Sequence, residues 1–373
     1  MSRGPSATRE GEFAMVRRAA SLLCFVFLLG AVSVHGQGKR KIILDQDARG
    51  PATTDQQSML ALLNAPQVDV LGITVVSGDM WRDEEVAHTL RMLELTGHSD
   101  VKVYPGAIFP LINSKEEIAR WQKLYGVVRY QGTWKSYGSG ASRKEAHGPY
   151  EIPALPEGMP TLKAEQEDAA HFIIRMVHKY PHEVTIYAGG PLTNLALAIG
   201  LDPQVPELAQ ELVVMGGSIG PDAPMEWKTE NRREFNFWFD PESVHITLRV
   251  PWKKITVTTV DISVKTRMTK EVIQQIASAG TPSANYIGKY SGEEYLWDEL
   301  AALAWLQPDI ITKEVKLYMD MDISHTAGYG NTLVWTEDEH PGLGEQLVHV
   351  QTDLDNEKFM KLLVELLSGK AGK

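Results

Sequence analysis

The chain has 373 residues, 43% of them hydrophobic, enough for one large core or two modest ones. Its 31 glycines and 20 prolines are ordinary in number, which excludes collagen-like and low-complexity architectures. A formal net charge of −11 excludes a dedicated binder of nucleic acid or of anionic membranes, and leaves the substrate open.

In chain order the first element is a targeting signal. Arg17 and Arg18 precede an apolar run over residues 20–32 that is too short for a comfortable membrane span. Small residues follow, and a cut after Gly36 defines a signal peptide over residues 1–36; Met15 would serve as an alternative start. The expected protein is secreted or periplasmic, with no stable membrane association once the signal is removed. Cys24, the single cysteine, leaves with the signal, so disulfides and thiol chemistry are excluded from the mature chain, residues 37–373.

Residues 41–47 (KIILDQD) read as a buried parallel strand ending in acids, and 54–63 as a helix. A second buried strand covers 68–76, a helix 83–95 and a short strand 101–105. Residues 106–160 are rich in Gly, Pro, Trp and Tyr and read as an inserted lobe or lid, because their aromatics want burial. Alternation then resumes, with helices over 167–180, 191–199 and 240–248 and strands over 183–188, 211–215 and 255–260. A helix over 299–305, late strands over 315–323 and 348–352 and an amphipathic helix over 356–368 close the chain. This pattern predicts an α/β fold, an open Rossmann-like and mostly parallel central sheet flanked by helices, in one domain with an inserted lobe.

In such sheets ligands sit at the carboxyl ends of strands. Asp45, Gln46 and Asp47 end the first strand, and Asp55 follows in the next helix. Carboxylates crowded together need a cation or shared protons, and all-oxygen donors favour calcium or magnesium. The alternative is a helix cap with solvated neighbours. Gly189-Gly190-Pro191 and Met215-Gly216-Gly217 are further strand ends where glycines leave backbone carbonyls open to a ligand. Glu234 and Asn236 stand two apart, so that extended backbone turns both to one side. Asp298 opens a helix, as a helix-start acid or a distant metal ligand.

Taken in order, IILDQD with Asp55, LGITVVSGD, AGGPLTNLALA, VVMGG, EFNFWFDPE and LWDELAALA resemble the nucleoside hydrolase family, the inosine–uridine-preferring and purine-specific ribohydrolases, from about Lys41 to the C-terminus. The resemblance implies one bound Ca2+, with Asp47, Asp55 and Asp298 as carboxylate ligands and the backbone carbonyl of Gly189 as the uncharged one. It makes Asp47 the general base on water and places Thr54, Asp79, Glu234 and Asn236 at the ribose. Asp45 falls in a supporting role. It also implies a small-molecule nucleoside as substrate, no nucleic-acid partner, and a homodimer or homotetramer.

Many relatives carry histidine before the last acid, as acid for the leaving base; here Trp297 stands there, as in the purine-specific branch. A second indole stacking on the base would come from Trp81, Trp121 or Trp134, with Trp81 or Trp134 preferred. The chain departs from the family in an insertion of about three residues within 48–54, which turns the first of two adjacent acids into Thr54. A second alignment gives Asp55 to the ribose and leaves Gln56 as a neutral metal ligand. Asn231 is a weak candidate for a further ribose contact. Competing expectations are a non-catalytic ribose- or calcium-binding relative and a hydrolase of another riboside. A haloacid-dehalogenase-type phosphatase fits worst, since Arg49 occupies the place where its motif wants Thr or Val.

Overall fold

The computed structural model describes residues 38–137, 144–220 and 233–370. The proposed signal peptide and Asn231 lie outside these residues. Nine strands form one sheet: β1 (Arg40–Gln46), β2 (Val68–Val75), β3 (Val103–Pro105), β4 (Val184–Ala188), β5 (Glu211–Met215), β6 (Ile255–Thr258), β7 (Ile311–Met321), β8 (Thr332–Trp335) and β9 (Gln346–Leu354). Their order is β3-β2-β1-β4-β5-β6-β9-β7-β8. All pairs from β3 to β9 are parallel, and β7 pairs antiparallel with both β9 and β8. The fold is therefore α/β with a mostly parallel sheet flanked by helices. The four-residue β8 and the antiparallel edge were not legible in the sequence.

Alternation along β1 explains how the sheet is buried on both faces. Ile42 and Leu44 enter one core cluster with Tyr187, Val213 and Met215; Ile43 enters the other with Ile186, Leu212 and Val214. Each such fully buried aliphatic side chain contributes about 1.5–3 kcal/mol. The order of strands reverses between β1 and β4, so their carboxyl ends open the crevice where such sheets bind ligands. Two helices deliver residues to that crevice, Thr54–Leu63 and Trp297–Leu306, and they pack against each other. Among the described residues no helix is long and apolar enough to cross a membrane.

The segment 106–160 carries a helix, Lys115–Tyr125, capped by the Ser114 side chain, which accepts the Glu117 N–H. Its two tryptophans are buried, Trp121 and Trp134 joining Trp81, Trp238, Phe239 and Tyr329 in a third cluster, whereas Phe109, Tyr125 and Tyr150 stay exposed, against the expected burial of the segment's aromatics. The chain returns from this segment over Glu94. That carboxylate accepts from Thr161 N and Oγ1 at 2.6 Å each, from Leu162 N at 2.7 Å and from Arg91 at 2.7 Å. Burial pushes its pKa up, but the donors from Thr161, Arg91 and Leu162 outweigh burial and hold it at about 2. The folded pKa lies below the ordinary value, so the stabilisation is present above about pH 4.5 and is lost as pH falls toward 2. Glu94→Gln is expected to cost about 1–2 kcal/mol at pH 7 after discounting for solvent screening, and clearly less at pH 2.5. Urea midpoints at the two pH values test this, and an equal loss at both would contradict it.

Candidate active site

Asp47 follows β1 directly, held between two glycines. A Cβ at Gly78 would stand 2.1 Å from its Oδ2, and one at Gly190 2.8 Å from its Oδ1. Only glycine lets the turn after β2 and the turn after β4 close this tightly on a side chain. Oδ2 accepts the Asp79 N–H at 3.0 Å, whereas Oδ1 is buried with no partner. Gly189 is equally constrained, since a Cβ there would lie 2.2 Å from Gln46 Nε2 and 2.7 Å from Asp298 Oδ1. Its carbonyl accepts from Asn236 Nδ2 at 3.1 Å and keeps a second lone pair.

Thr54 and Asp55 open one helix and Trp297 and Asp298 the other, so both acids sit where a helix start favours negative charge. Thr54 joins the two helices. Its Oγ1 accepts the Asp298 N–H at 3.1 Å and lies 2.6 Å from Glu299 Oε2 and 3.1 Å from Asp298 Oδ2. Asp298 Oδ1 is buried without a partner. Asp55 Oδ2 accepts from Thr53 Oγ1 at 2.8 Å. Asp45 points to the opposite face of the sheet and accepts from Thr74 and Asn194 at 2.5 and 2.7 Å, a supporting position away from the cavity.

The extended backbone expected at Glu234–Asn236 is corrected: Phe235–Phe239 is a short helix and Glu234 is its cap. Glu234 Oε1 accepts the Asn236 N–H at 2.9 Å, and Oε2 accepts those of Gly217 and Phe237 at 2.8 and 3.1 Å. Side-chain capping overrides the period-two reading here. Both residues still reach the same cavity. Burial pushes Glu234 up to about 7 against these three donors.

These side chains line a cavity of about 210 Å³: Asp47, Thr54, Asp55, Asp79, Glu234, Asn236, Trp297 and Asp298, together with Arg49, Tyr130, Met215, Phe235 and Val260. Trp81 and Trp134 are not among them. Both pack in the third aromatic cluster, and the Trp81 indole donates to the His147 carbonyl at 2.8 Å. Tyr130 and Phe235 supply aromatic faces in the cavity instead, at 4.8 Å and edge to face with one another. Arg49 arrives from the insertion after β1. It pairs with Asp79 at 3.1 Å and Glu294 at 3.2 Å, and its position two residues beyond the acid strand end was the signal that could have found it. Tyr130 comes from the segment 106–160 and had no local signal. A larger cavity of about 1040 Å³ lies beyond Arg49, among Glu84, His88, Lys144 and His147, away from the crevice between β1 and β4.

Burial, with mutual repulsion, pushes Asp47, Asp55 and Asp298 upward from the carboxylate range; Asp79 adds to all three. Buried oxygens without partners and crowded carboxylates are the environment of a hard divalent cation. Among the described residues no three such side chains converge on one point as they stand. Asp47 and Asp298 each present a buried oxygen without a partner, and Asp55 lines the same cavity. The donor set thus fits a cation.

Comparison with known proteins follows the same lines. The family model described as inosine-uridine preferring nucleoside hydrolase matches residues 42–361. The chain is 26% identical over 288 residues to uridine nucleosidase 1 of Arabidopsis thaliana, covering 73% of this chain and 75% of that protein. It is 23% identical over 344 residues to the inosine-uridine preferring nucleoside hydrolase of Crithidia fasciculata, covering 88% and 97%. A solved purine-preferring ribonucleoside hydrolase from Gardnerella vaginalis shares the fold at a TM-score of 0.70 and 22% identity, over 89% of this chain and 99% of that one.

Proposed function

Because the chain belongs to the inosine-uridine preferring nucleoside hydrolase family, and is therefore an N-ribosyl hydrolase, we propose that it is a secreted, calcium-dependent hydrolase of ribonucleosides that leans toward purines. The observation that carries the reading is the gathering of Asp47, Asp55 and Asp298 with Trp297 in one cavity at the switch point of the sheet. Members of the family bind a metal ion. Here Asp47, Asp55, Asp298 and the Gly189 carbonyl would hold Ca2+, which when bound lowers the pKa of water and binds hydroxyl oxygens.

Cleavage passes through a ribosyl cation with oxocarbenium character. Asp47 accepts a proton from the attacking water. Glu234, Asn236, Asp79 and Thr54 orient the ribose hydroxyls, and the surrounding carboxylates stabilise positive charge developing on the sugar. Trp297, with Phe235 and Tyr130, offers π faces to the base, which supports the purine lean. Export is supported by the arginines and apolar run before residue 36. Assembly into a homodimer or homotetramer is proposed by likeness to the family.

Reducing-sugar release from inosine, guanosine, adenosine and uridine, with calcium and with chelator, tests the reading. Calcium-dependent release is expected, with purines at least about tenfold ahead of uridine in kcat/KM, the worth of one good stacking contact. Equal rates on uridine would overturn the purine lean. Equal rates in chelator would overturn the calcium requirement.

A further inference from the structure

The nucleoside hydrolase reading leaves one chemical requirement unassigned: a nucleobase departs poorly as an anion, and no histidine lines the cavity. The pair of indoles that could have stabilised a protonated base is not assembled, since Trp81 and Trp134 pack elsewhere. Most other polar side chains of the cavity are already committed to partners or to the proposed cation. Glu234 accepts backbone N–H groups at both oxygens. Asp79 is paired with Arg49 at 3.1 Å. Asp47, Asp55 and Asp298 form the proposed cation site. The Thr54 hydroxyl is held among the carboxylates of Asp298 and Glu299. A guanidinium does not deprotonate in proteins, so Arg49 is no acid.

Tyr130 remains. Its ring is fixed against Phe235 at 4.8 Å and Tyr137 at 5.0 Å, and the residue lines the cavity. Arg49 Nη1 donates to that hydroxyl at 3.4 Å while Asp79 and Glu294 hold the guanidinium from either side. Tyr137, the neighbouring phenol, spends its own proton on the Asp79 carbonyl at 3.0 Å, so its oxygen can only accept from Tyr130. A hydroxyl resting on a neutral phenol turns toward a substrate more cheaply than one resting on a carboxylate.

We propose that Tyr130 is the proton donor to the leaving base, with Arg49 stabilising the phenolate that results. As the C1′–N bond breaks, its electron pair goes to the ring nitrogen system of the base, which takes the Tyr130 Oη proton and leaves neutral. Water supplies the hydroxyl that bonds C1′, and its proton goes to Asp47. Proton return from Asp47 to the Tyr130 oxygen through solvent restores both residues, so that one nucleoside and one water give one ribose and one base. Burial first, then the Asp79 and Tyr137 neighbours, push the Tyr130 phenol well above its usual range, and Arg49 pulls the other way. The resting phenol therefore carries its proton at neutral pH, and the guanidinium beside it eases the proton's departure.

The test compares two leaving groups in the full chain with calcium: inosine, whose base needs protonation, and 4-nitrophenyl β-D-ribofuranoside, whose nitrophenolate leaves unaided. Tyr130→Phe is expected to lower kcat on inosine ~100-fold or more, the usual worth of a general acid, and to change the aryl riboside by no more than about threefold. A similar fall on both substrates would make Tyr130 a packing residue and overturn the proposal. So would an unchanged rate on inosine. A wild-type protein that cleaves neither compound nor any other nucleoside would instead bring down the hydrolase reading on which the proposal rests.

Discussion

Asp47→Asn is expected to reduce nucleoside turnover roughly 1,000-fold, within the range for loss of a general base. The substitution keeps shape and removes charge. The Asp79 N–H can still be accepted by the amide oxygen, so the turn after β2 should hold. What disappears is the carboxylate charge at a buried oxygen with no partner, and with it both the proposed base and one proposed cation ligand. The same change should raise the melting temperature of the calcium-free protein by a few degrees. Burial and the carboxylates of Asp79, Asp55, Glu85 and Asp298 all work against charge at Asp47, and asparagine relieves them. Lower activity together with higher calcium-free stability marks a functional acid whose placement costs stability. Lower activity with lower stability would mark Asp47 as structural and remove it from the mechanism.

The parts of this site legible in the sequence were those in which one residue both ends a strand and carries chemistry. Asp47 follows a run of aliphatics that can only be a strand buried on both faces, and ligands gather at such ends. Asp55 and Asp298 were legible because both open helices. Residues delivered by long-range packing were not. Trp81 and Trp134 were preferred as stacking partners on their expected position near the pocket, yet an aromatic cluster around Trp238, Phe239 and Tyr329 absorbs them. Tyr130 reaches the cavity only because its segment folds back, Thr133 N–H donating to the Gly78 carbonyl at 2.9 Å. Glu234 was misread locally, since a carboxylate that can cap a helix start competes with the extended backbone suggested by spacing. The helices Lys270–Ala277 and Pro282–Tyr290, each opened by a capping threonine, were passed over although Thr269 and Thr281 were visible signals.

The altered acid pair also acquires a physical account. The insertion after β1 trades an acid for Thr54 at one place and brings Arg49 into the cavity at another. Thr54 then serves as a neutral link between the helices Thr54–Leu63 and Trp297–Leu306, close to both Asp298 and Glu299. An acid at residue 54 would face two carboxylates within hydrogen-bond distance. In the proposed site the negative charge at the sugar would come from Asp79 instead, which pairs with Arg49 at 3.1 Å. On that reading carboxylate character is kept in the cavity although residue 54 is neutral.

Removing calcium is expected to abolish most turnover and to reverse the pH dependence of stability. In the cation-free protein Asp47, Asp55 and Asp298 have folded pKa values above their ordinary ones, so the folded state binds more protons than the unfolded state over that interval. Stability must then fall as pH rises out of the ordinary carboxylate range and through the folded values. Chelated protein should therefore melt higher near pH 5 than near pH 8. Calcium replaces those protons, and its ligands must be ionised to bind it, so the gain in melting temperature on adding calcium should be larger at pH 8 than at pH 5. At a free concentration of 100 times its dissociation constant, a ligand bound only by the folded state adds about 2.7 kcal/mol. Magnesium should restore less than calcium, because a site of several carboxylates and a carbonyl suits a larger, more flexible coordination shell. Calorimetry of the chelated and calcium-loaded protein at the two pH values, with ribose release measured on the same samples, reads all of these effects. A chelated protein, shown by metal analysis to be empty, that keeps full activity and melts alike at both pH values would show that the three acids serve no cation.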